Sequence, residues 1–276
     1  SGFTDVDPVD WHLKKMEAQT YLEHVASRLQ SAQLAAESVI LEGPPADCII
    51  DYADSHDVDF IILSTHGRSG LSGWNISSVV QKIILRCFKS IFLVRAYQAS
   101  SADVAQVHYQ HLFVGMDCSA RADFVLPVAV RLAQYCKARL TLGTVIERPV
   151  MLQRAPLSEE DIALVDGVAE KNLQWATHYL NQLQTQFTME GVDIQTRLVV
   201  SDNATDSLHA LAEEEQADLV LLGAHGQGGV GRYPYGSMAS SFIAFGTSSL
   251  MIMQDLSGKE LQQTQAEIAA QQVKGH

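Results

Sequence analysis

A chain of 276 residues, 47% of them hydrophobic and 18% charged, has room for two packed domains, which excludes a disordered chain. The net charge of −13 excludes a general affinity for nucleic acid or anionic membrane, because such binding needs clustered Lys and Arg. A bound anion would have to be held locally, by backbone N–H groups, against an unfavourable overall field.

In chain order, the polar start SGFTDVDPVDW predicts no signal peptide. Residues 9–30 have helical spacing, with Ala18, Tyr21, Leu22, Val25, Ala26 and Leu29 on one stripe. Asp59 to Arg95 reads as a strand, a loop, a helix and a last strand, SIFLV, at residues 90–94. Residues 97–109 read as a linker. Strand-type runs follow at 111–117, 138–146, 192–199, 218–222 and 249–253. Between them lie helical patterns at 119–137, from the capping-box sequence Ser158-Glu-Glu-Asp161 to about Phe187, at 205–215, and from Ser237. Residues 257–276 are Gln-rich and are expected to form a mobile tail. No apolar run approaches the ~18 residues of a membrane span. Cys48, Cys87, Cys118 and Cys136 form no CxxC and lie in apolar runs, so buried free thiols in a reducing, cytoplasmic compartment are expected.

The chain repeats itself. Asp59–Arg95 aligns without a gap on Asp218–Gln254 at an offset of 159, placing His66 on His225, Gly67 on Gly226 and Ser78 on Ser237. Strands alternating with helices predict an α/β fold: two tandem units, each a mostly parallel five-stranded sheet with helices on both faces. The first unit spans residues 1–96 and the second 110–256. Nothing before the helix at 9–30 matches the second unit's first strand, first helix and second strand. The offset predicts that roughly fifty residues of the first unit precede Ser1; the alternative, a natural half-domain, is disfavoured because a parallel sheet lacking its central strands exposes apolar edges.

The chemistry concentrates in Gly223-Ala-His-Gly226, nine residues, then Gly236-Ser237. This loop leaves a buried strand and ends at a helix start. The glycines let backbone approach a ligand, and the helix N-terminus favours phosphate oxygens. A tight turn with Ser237 as an ordinary N-cap explains the same residues equally well. Gly226-Gln-Gly228-Gly229-Val-Gly231 fits G-x-G-x-x-G. It follows the fourth strand rather than the first and has no acid ~20 residues on, so a dinucleotide fingerprint is rejected. No GxxxxGK[ST] occurs.

These residues resemble the universal stress proteins, small adenine-nucleotide-binding α/β units with the loop G-x2-G-x9-G-[ST]. Gly223, Gly226, Gly236 and Ser237 fit every position. Val114-Gly-Met-Asp-Cys-Ser119 resembles the family's first-strand ending, whose Asp faces the adenosine moiety. The resemblance implies that Asp117 accepts hydrogen bonds from the ligand, that Gly115 and Met116 line the pocket, that Val145 lies against the base, and that Leu222 and Met238 flank the loop; His225, within the loop, is counted with the nucleotide-binding residues. It implies ATP or another adenine nucleotide, with or without Mg²⁺, as cofactor. It also implies pairing of the units through their last strands as a pseudo-twofold dimer, with a homodimer of chains open. In the first unit Ser64 and Ser77 replace two of the glycines, and only Gly67 and Ser78 remain. That loop is expected to be degenerate and the first unit structural.

Other residues have plainer readings. His66 and His225 read as polar loop residues that orient backbone or touch ligand, rather than as general bases. Arg232 reaches a phosphate or faces solvent, and Asp202 and Asn203 edge the site or form a turn. Glu213, Glu214 and Glu215 read as a solvated run. No spacing suggests a metal site, a nucleophile elbow or a catalytic residue. The expected function is therefore a cytoplasmic nucleotide-binding sensor or regulator of a stress response. The alternatives are a slow ATPase or phosphotransferase and a ligand-free interaction protein.

Overall fold

The computed structural model describes residues 8–65, 76–95, 108–119, 121–149, 158–226 and 233–255. His66, Gly67, Arg232, most of the linker and the tail lie outside them.

The first unit contributes helices α1 (Pro8–Ser31), α2 (Pro45–Ser55) and α3 (Ser78–Arg86), and strands β1 (Phe60–Ser64) and β2 (Ser90–Val94). The second contributes β3 (His111–Met116), a 3₁₀ turn (Ala122–Val125), α4 (Leu126–Cys136), β4 (Arg139–Glu147) and α5 (Glu159–Met189). It continues with β5 (Ile194–Ser201), α6 (Ala204–Glu214), β6 (Leu219–Gly223), α7 (Ser237–Phe245) and β7 (Ser249–Met253). All strands join one seven-stranded sheet in the order β1-β2-β7-β6-β3-β4-β5. Every neighbouring pair is parallel except β2 and β7, which are antiparallel.

That antiparallel seam carries the pseudo-twofold. Phe92 faces Met251, its own equivalent by the 159 offset, while Ile91 faces Ile252 and Leu93 faces Leu250. The axis therefore runs between Phe92 and Met251. Each last strand is an apolar edge that would otherwise template aggregation, and the seam pairs it. Side chains reinforce the joint. The buried Arg95 donates from Nη2 to the carbonyls of Phe242 and Ile243, each at 2.9 Å, at the C-terminal end of α7. A guanidinium there satisfies free carbonyls and meets the negative end of the helix dipole. From the other end of α7, the Tyr235 hydroxyl donates to the Lys89 carbonyl at 2.7 Å. The first unit thus holds the second unit's last helix at both ends.

The two faces of the sheet bury separate cores. One packs α2, α3, α6 and α7 on Ile61, Ile91, Leu93, Phe113, Leu222, Leu250 and Ile252. The other packs α4 and α5 on Leu112, Val114, Leu140, Leu142, Leu219 and Leu221. All six residues of β3 are buried, as a central parallel strand covered on both faces requires. Ser158 and Asp161 form the reciprocal capping box that starts α5.

Among the described residues, the first unit supplies the fourth and fifth strands of its repeat and no others. Residues 33–40, which the offset places on the second unit's third strand, carry no strand. In the second unit that strand, β5, pairs with β4. The described residues hold no first-unit counterpart of β4, so 33–40 has no ladder to join. The same lack leaves α1 without a sheet to cover: Tyr21 and Ala18 on its stripe are exposed, and Leu22, Val25, Ala26 and Leu29 are only half-buried. Two further expectations are corrected. Cys87 and Cys118 are buried, but Cys48, in α2, and Cys136, the last residue of α4, are half-buried. The side chain of Glu215 is 9% exposed rather than solvated, because Arg197 pairs with it at 2.7 Å and His111 lies 3.9 Å away.

Replacing Arg95 with Ala leaves two helix-end carbonyls buried without their cationic donor. Urea denaturation is expected to show a loss of about 2–4 kcal/mol. A loss below about 0.5 kcal/mol would contradict the role given to Arg95.

Candidate functional site

Strand order reverses at β3, which lies between β6 and β4. In an open parallel sheet this is where the carboxyl ends of the strands leave a crevice. A cavity of about 650 Å³ occupies it. Gly115, Met116, Asp117, Val145, Leu222, Gly223, His225, Gly226, Gly236, Ser237 and Met238 all line it. The fold therefore brings all eleven residues singled out in the sequence to one place. Asp202 and Asn203 do not line it: Asn203 caps α6, and Asp202 sits 3.6 Å from Arg148. Their followers, Ala204 and Thr205, line it instead, beside Cys118, Ile146, Glu147, Asn172 and Trp175.

Asp117 follows β3 directly. Its Oδ1 accepts from the Ser119 backbone N–H at 3.0 Å. The turn passes through Cys118 in a left-handed conformation (φ 57°); burial pushes the Cys118 thiol pKa up, and its contact with the Thr144 hydroxyl opposes this only in part. Across the cavity, a Cβ on Gly226 would come within 2.2 Å of Asp117 Oδ2. Glycine at 226 is what lets the loop and the carboxylate approach. Glu147 Oε1 accepts from the Ala204 N–H at 3.1 Å and so covers one donor at the start of α6. Among the described residues, no Lys or Arg lines the cavity.

The N-terminus of α7 opens into the cavity through Ser237, Met238 and Ala239. First-turn N–H groups have no intrahelical acceptor. The N-cap is Gly236, which makes no side-chain cap bond, and Ser237 is the first helical residue rather than the cap. The first unit provides an internal control. Its backbone is built alike: Ser77 N–H donates to the Thr65 carbonyl at 3.1 Å, as Gly236 N–H does to Ala224 at 2.7 Å. There, however, the Ser77 hydroxyl caps α3 by accepting from the Val80 N–H at 3.3 Å. The residue equivalent to Val80 is Ala239. A serine side chain thus occupies in the first unit a donor that a glycine leaves open in the second. Ser64 ends β1 and Ser78 begins α3.

His225 is buried, with Nδ1 2.8 Å from Asp255 Oδ1 and Nε2 2.9 Å from the Tyr233 carbonyl. Asp255 also accepts from Arg121 at 2.9 Å. Both imidazole nitrogens face acceptors, which favours the doubly protonated ring. Burial by itself lowers the His225 pKa. The hydrogen bonds to Asp255 and Tyr233 outweigh burial and raise it above the ordinary histidine value. The group ties the turn after β3, the end of β6 and the end of β7 to the far side of the nine-residue spacer. That matches the backbone-orienting role and leaves neither nitrogen free to take a proton.

The sequence hid Glu147, Asn172 and Trp175. Glu147 ends a strand like many exposed residues. Asn172 and Trp175 lie far along α5, off its buried stripe of Ala169, Ala176, Leu180 and Phe187. An exposed tryptophan there was the available signal.

A histidine with a raised pKa in the folded state gives stability that is complete below the unfolded value near ~6.5 and is lost as pH rises through the folded one. Stability relative to a His225→Asn protein is therefore expected to shrink as pH rises from about 6 towards 9. A difference that is constant or grows over that range would contradict the imidazolium clamp.

Known proteins share the fold of this chain. The model of the universal stress protein family matches residues 4–95 and 108–253. A universal stress protein of Methanocaldococcus jannaschii is 27% identical over 79 residues, 29% of this chain; the chain spans about half (49%) of that relative's length. A putative universal stress protein of Staphylococcus aureus is 28% identical over 149 residues, 53% of this chain and 85% of its own. The crystal structure of a universal stress protein from Archaeoglobus fulgidus superposes with a TM-score of 0.62 at 18% identity, over 92% of this chain and 85% of its own, which shows the shared fold. The match to the family model at both units, on a sheet with this topology, establishes that the chain belongs to the universal stress protein family.

Proposed function

We propose that the second unit binds ATP or a related adenine nucleotide at the cavity between β3 and β6, and that the protein acts as a nucleotide-dependent sensor or regulator. One observation carries the reading. The glycine N-cap of α7 leaves first-turn donors open towards a cavity that also holds Asp117, whereas the serine cap of α3 closes the equivalent donor. Phosphate oxygens fit the α7 end, where N–H groups and the helix dipole favour anions. Asp117 suits hydroxyl or amino donors of the nucleoside, and Val145 offers apolar surface to the base. No Lys or Arg lines the described part of the cavity, and the His225 imidazolium is already paired with Asp255, so Mg²⁺ accompanying the phosphates would offset their charge, with the Ser237 hydroxyl within the same wall. A binding role is favoured over hydrolysis because His225, the base candidate, already has acceptors at both ring nitrogens.

Calorimetric titration with Mg²⁺-ATP, alongside chromatography of what the denatured protein releases, tests this. Saturable binding of one nucleotide per chain is expected; no binding at millimolar ATP would refute it. Gly226→Val should abolish binding, since a side chain there collides with Asp117. A subtler test copies the first unit into the second. Gly236→Ser needs no change of backbone (φ −71°), although its Cβ meets the Ala224 carbonyl at 3.3 Å. Its hydroxyl should cap α7 at a stability change of only a few tenths of a kcal/mol, while ATP affinity falls about tenfold or more through loss of a phosphate donor of ~1.5–3 kcal/mol. Unchanged affinity in a folded Gly236→Ser protein would remove α7 from the site.

A further inference from the structure

We propose that Trp175 is the stacking platform for the base, so that nucleoside recognition in this chain depends on α5 as well as on the strand ends. The inference rests on the reading of the cavity as an adenine-nucleotide site. Trp175 is the one Trp, Tyr or Phe side chain on the cavity wall among the described residues. It is 56% exposed, an unusual state for a tryptophan unless one surface is kept for a partner.

Its position is fixed from several directions. The neighbouring residue Ala176 is fully buried, as is Leu180 one turn on, so the helix cannot roll. The capping box at Ser158 and Asp161 sets the start of α5. The Trp175 indole stacks parallel on the Tyr179 ring, with centroids 5.5 Å apart and an interplanar angle of 1°. The Tyr179 hydroxyl in turn donates to Asp123, in the 3₁₀ turn that follows Asp117, and the Asp123 N–H donates to the Ser119 carbonyl at 3.1 Å. The indole is therefore coupled through Tyr179 and Asp123 to the segment that holds the Asp117 carboxylate. Asn172, one turn earlier on the same helix, also lines the cavity and brings an amide that can donate to and accept from a base edge.

The chemistry of the cavity explains why a platform is needed. Its wall carries two carboxylates, Asp117 and Glu147, and no Lys or Arg among the described residues. Among the described wall residues no Lys or Arg meets the phosphates, which rely chiefly on backbone and hydroxyl donors. Stacking is indifferent to that charge, and a base on an aromatic ring gains enough to change affinity by about ten- to a hundredfold.

The test uses the full chain and equilibrium dialysis with labelled ATP, with competition by unlabelled inorganic tripolyphosphate. Trp175→Ala is expected to weaken ATP about tenfold or more, Trp175→Phe to stay within about threefold of wild type, and the tripolyphosphate affinity to be the same in all three. With Trp11 and Trp74 replaced by Phe, ATP should quench the fluorescence of the remaining Trp175, whereas tripolyphosphate should not. Wild-type ATP affinity in Trp175→Ala, or an equal loss of ATP and tripolyphosphate, would overturn the platform while leaving the nucleotide site standing. Failure of the wild type to bind ATP at all would overturn both.

Discussion

The antiparallel seam between β2 and β7 decides most of what this molecule is. Each of these strands closes a parallel half-sheet and carries apolar side chains on both faces. Alone, each would be a free hydrophobic edge. Paired about an axis through Phe92 and Met251, they merge two units into one sheet and two continuous cores. The seam also brings Arg95 and Lys89 to opposite ends of α7. The helix whose N-terminus faces the cavity is thereby held by the unit that does not line it. The first unit is, on this account, a buttress: serines stand at 64 and 77 where the second unit has glycines, while Arg95 and Lys89 meet the two ends of α7.

The same backbone turn is used twice with opposite chemical results. The carbonyl of Thr65 or Ala224 accepts the N-cap N–H in either unit. What differs is a single side chain at the cap. Serine at 77 satisfies the helix from within; glycine at 236 leaves it open. A helix N-terminus in need of an acceptor, in a cavity that also holds the Asp117 carboxylate, invites an anion attached to a hydrogen-bond-donating nucleoside. The Arg121–Asp255–His225–Tyr233 group then acts on the loop rather than on the ligand, closing the base of the nine-residue spacer.

Much of this was legible in the sequence because it depends on local pattern. The strands at 111–117 and 249–253 are short apolar runs bounded by polar or glycine residues, and they appear within a residue of those limits. The capping box at Ser158 is a four-residue signal and behaves as one. The cavity residues cluster because repeat and motif fixed which strand ends they follow. What was hidden depends on tertiary partners. Glu215 looks solvated until Arg197, on a neighbouring strand, comes beside it. Residues 33–40 and the stripe of α1 have suitable composition but, among the described residues, no counterpart of β4 to receive them. The 3₁₀ turn at Ala122–Val125 precedes Pro127, and helical spacing alone does not separate it from α4. Trp175 lies off the buried stripe of a long helix, where only the geometry of the cavity gives it meaning.

The central claim is that one nucleotide binds per chain, against the first turn of α7 and not that of α3. Backbone amide shifts of ¹⁵N-labelled protein titrated with Mg²⁺-ATP test it directly, because the two helix starts report separately within one sample. Large, saturable shifts at Ser237, Met238 and Ala239, with Ser78, Val79 and Val80 unmoved, are the expected result. Shifts at the α3 start, or none at either, would contradict the account.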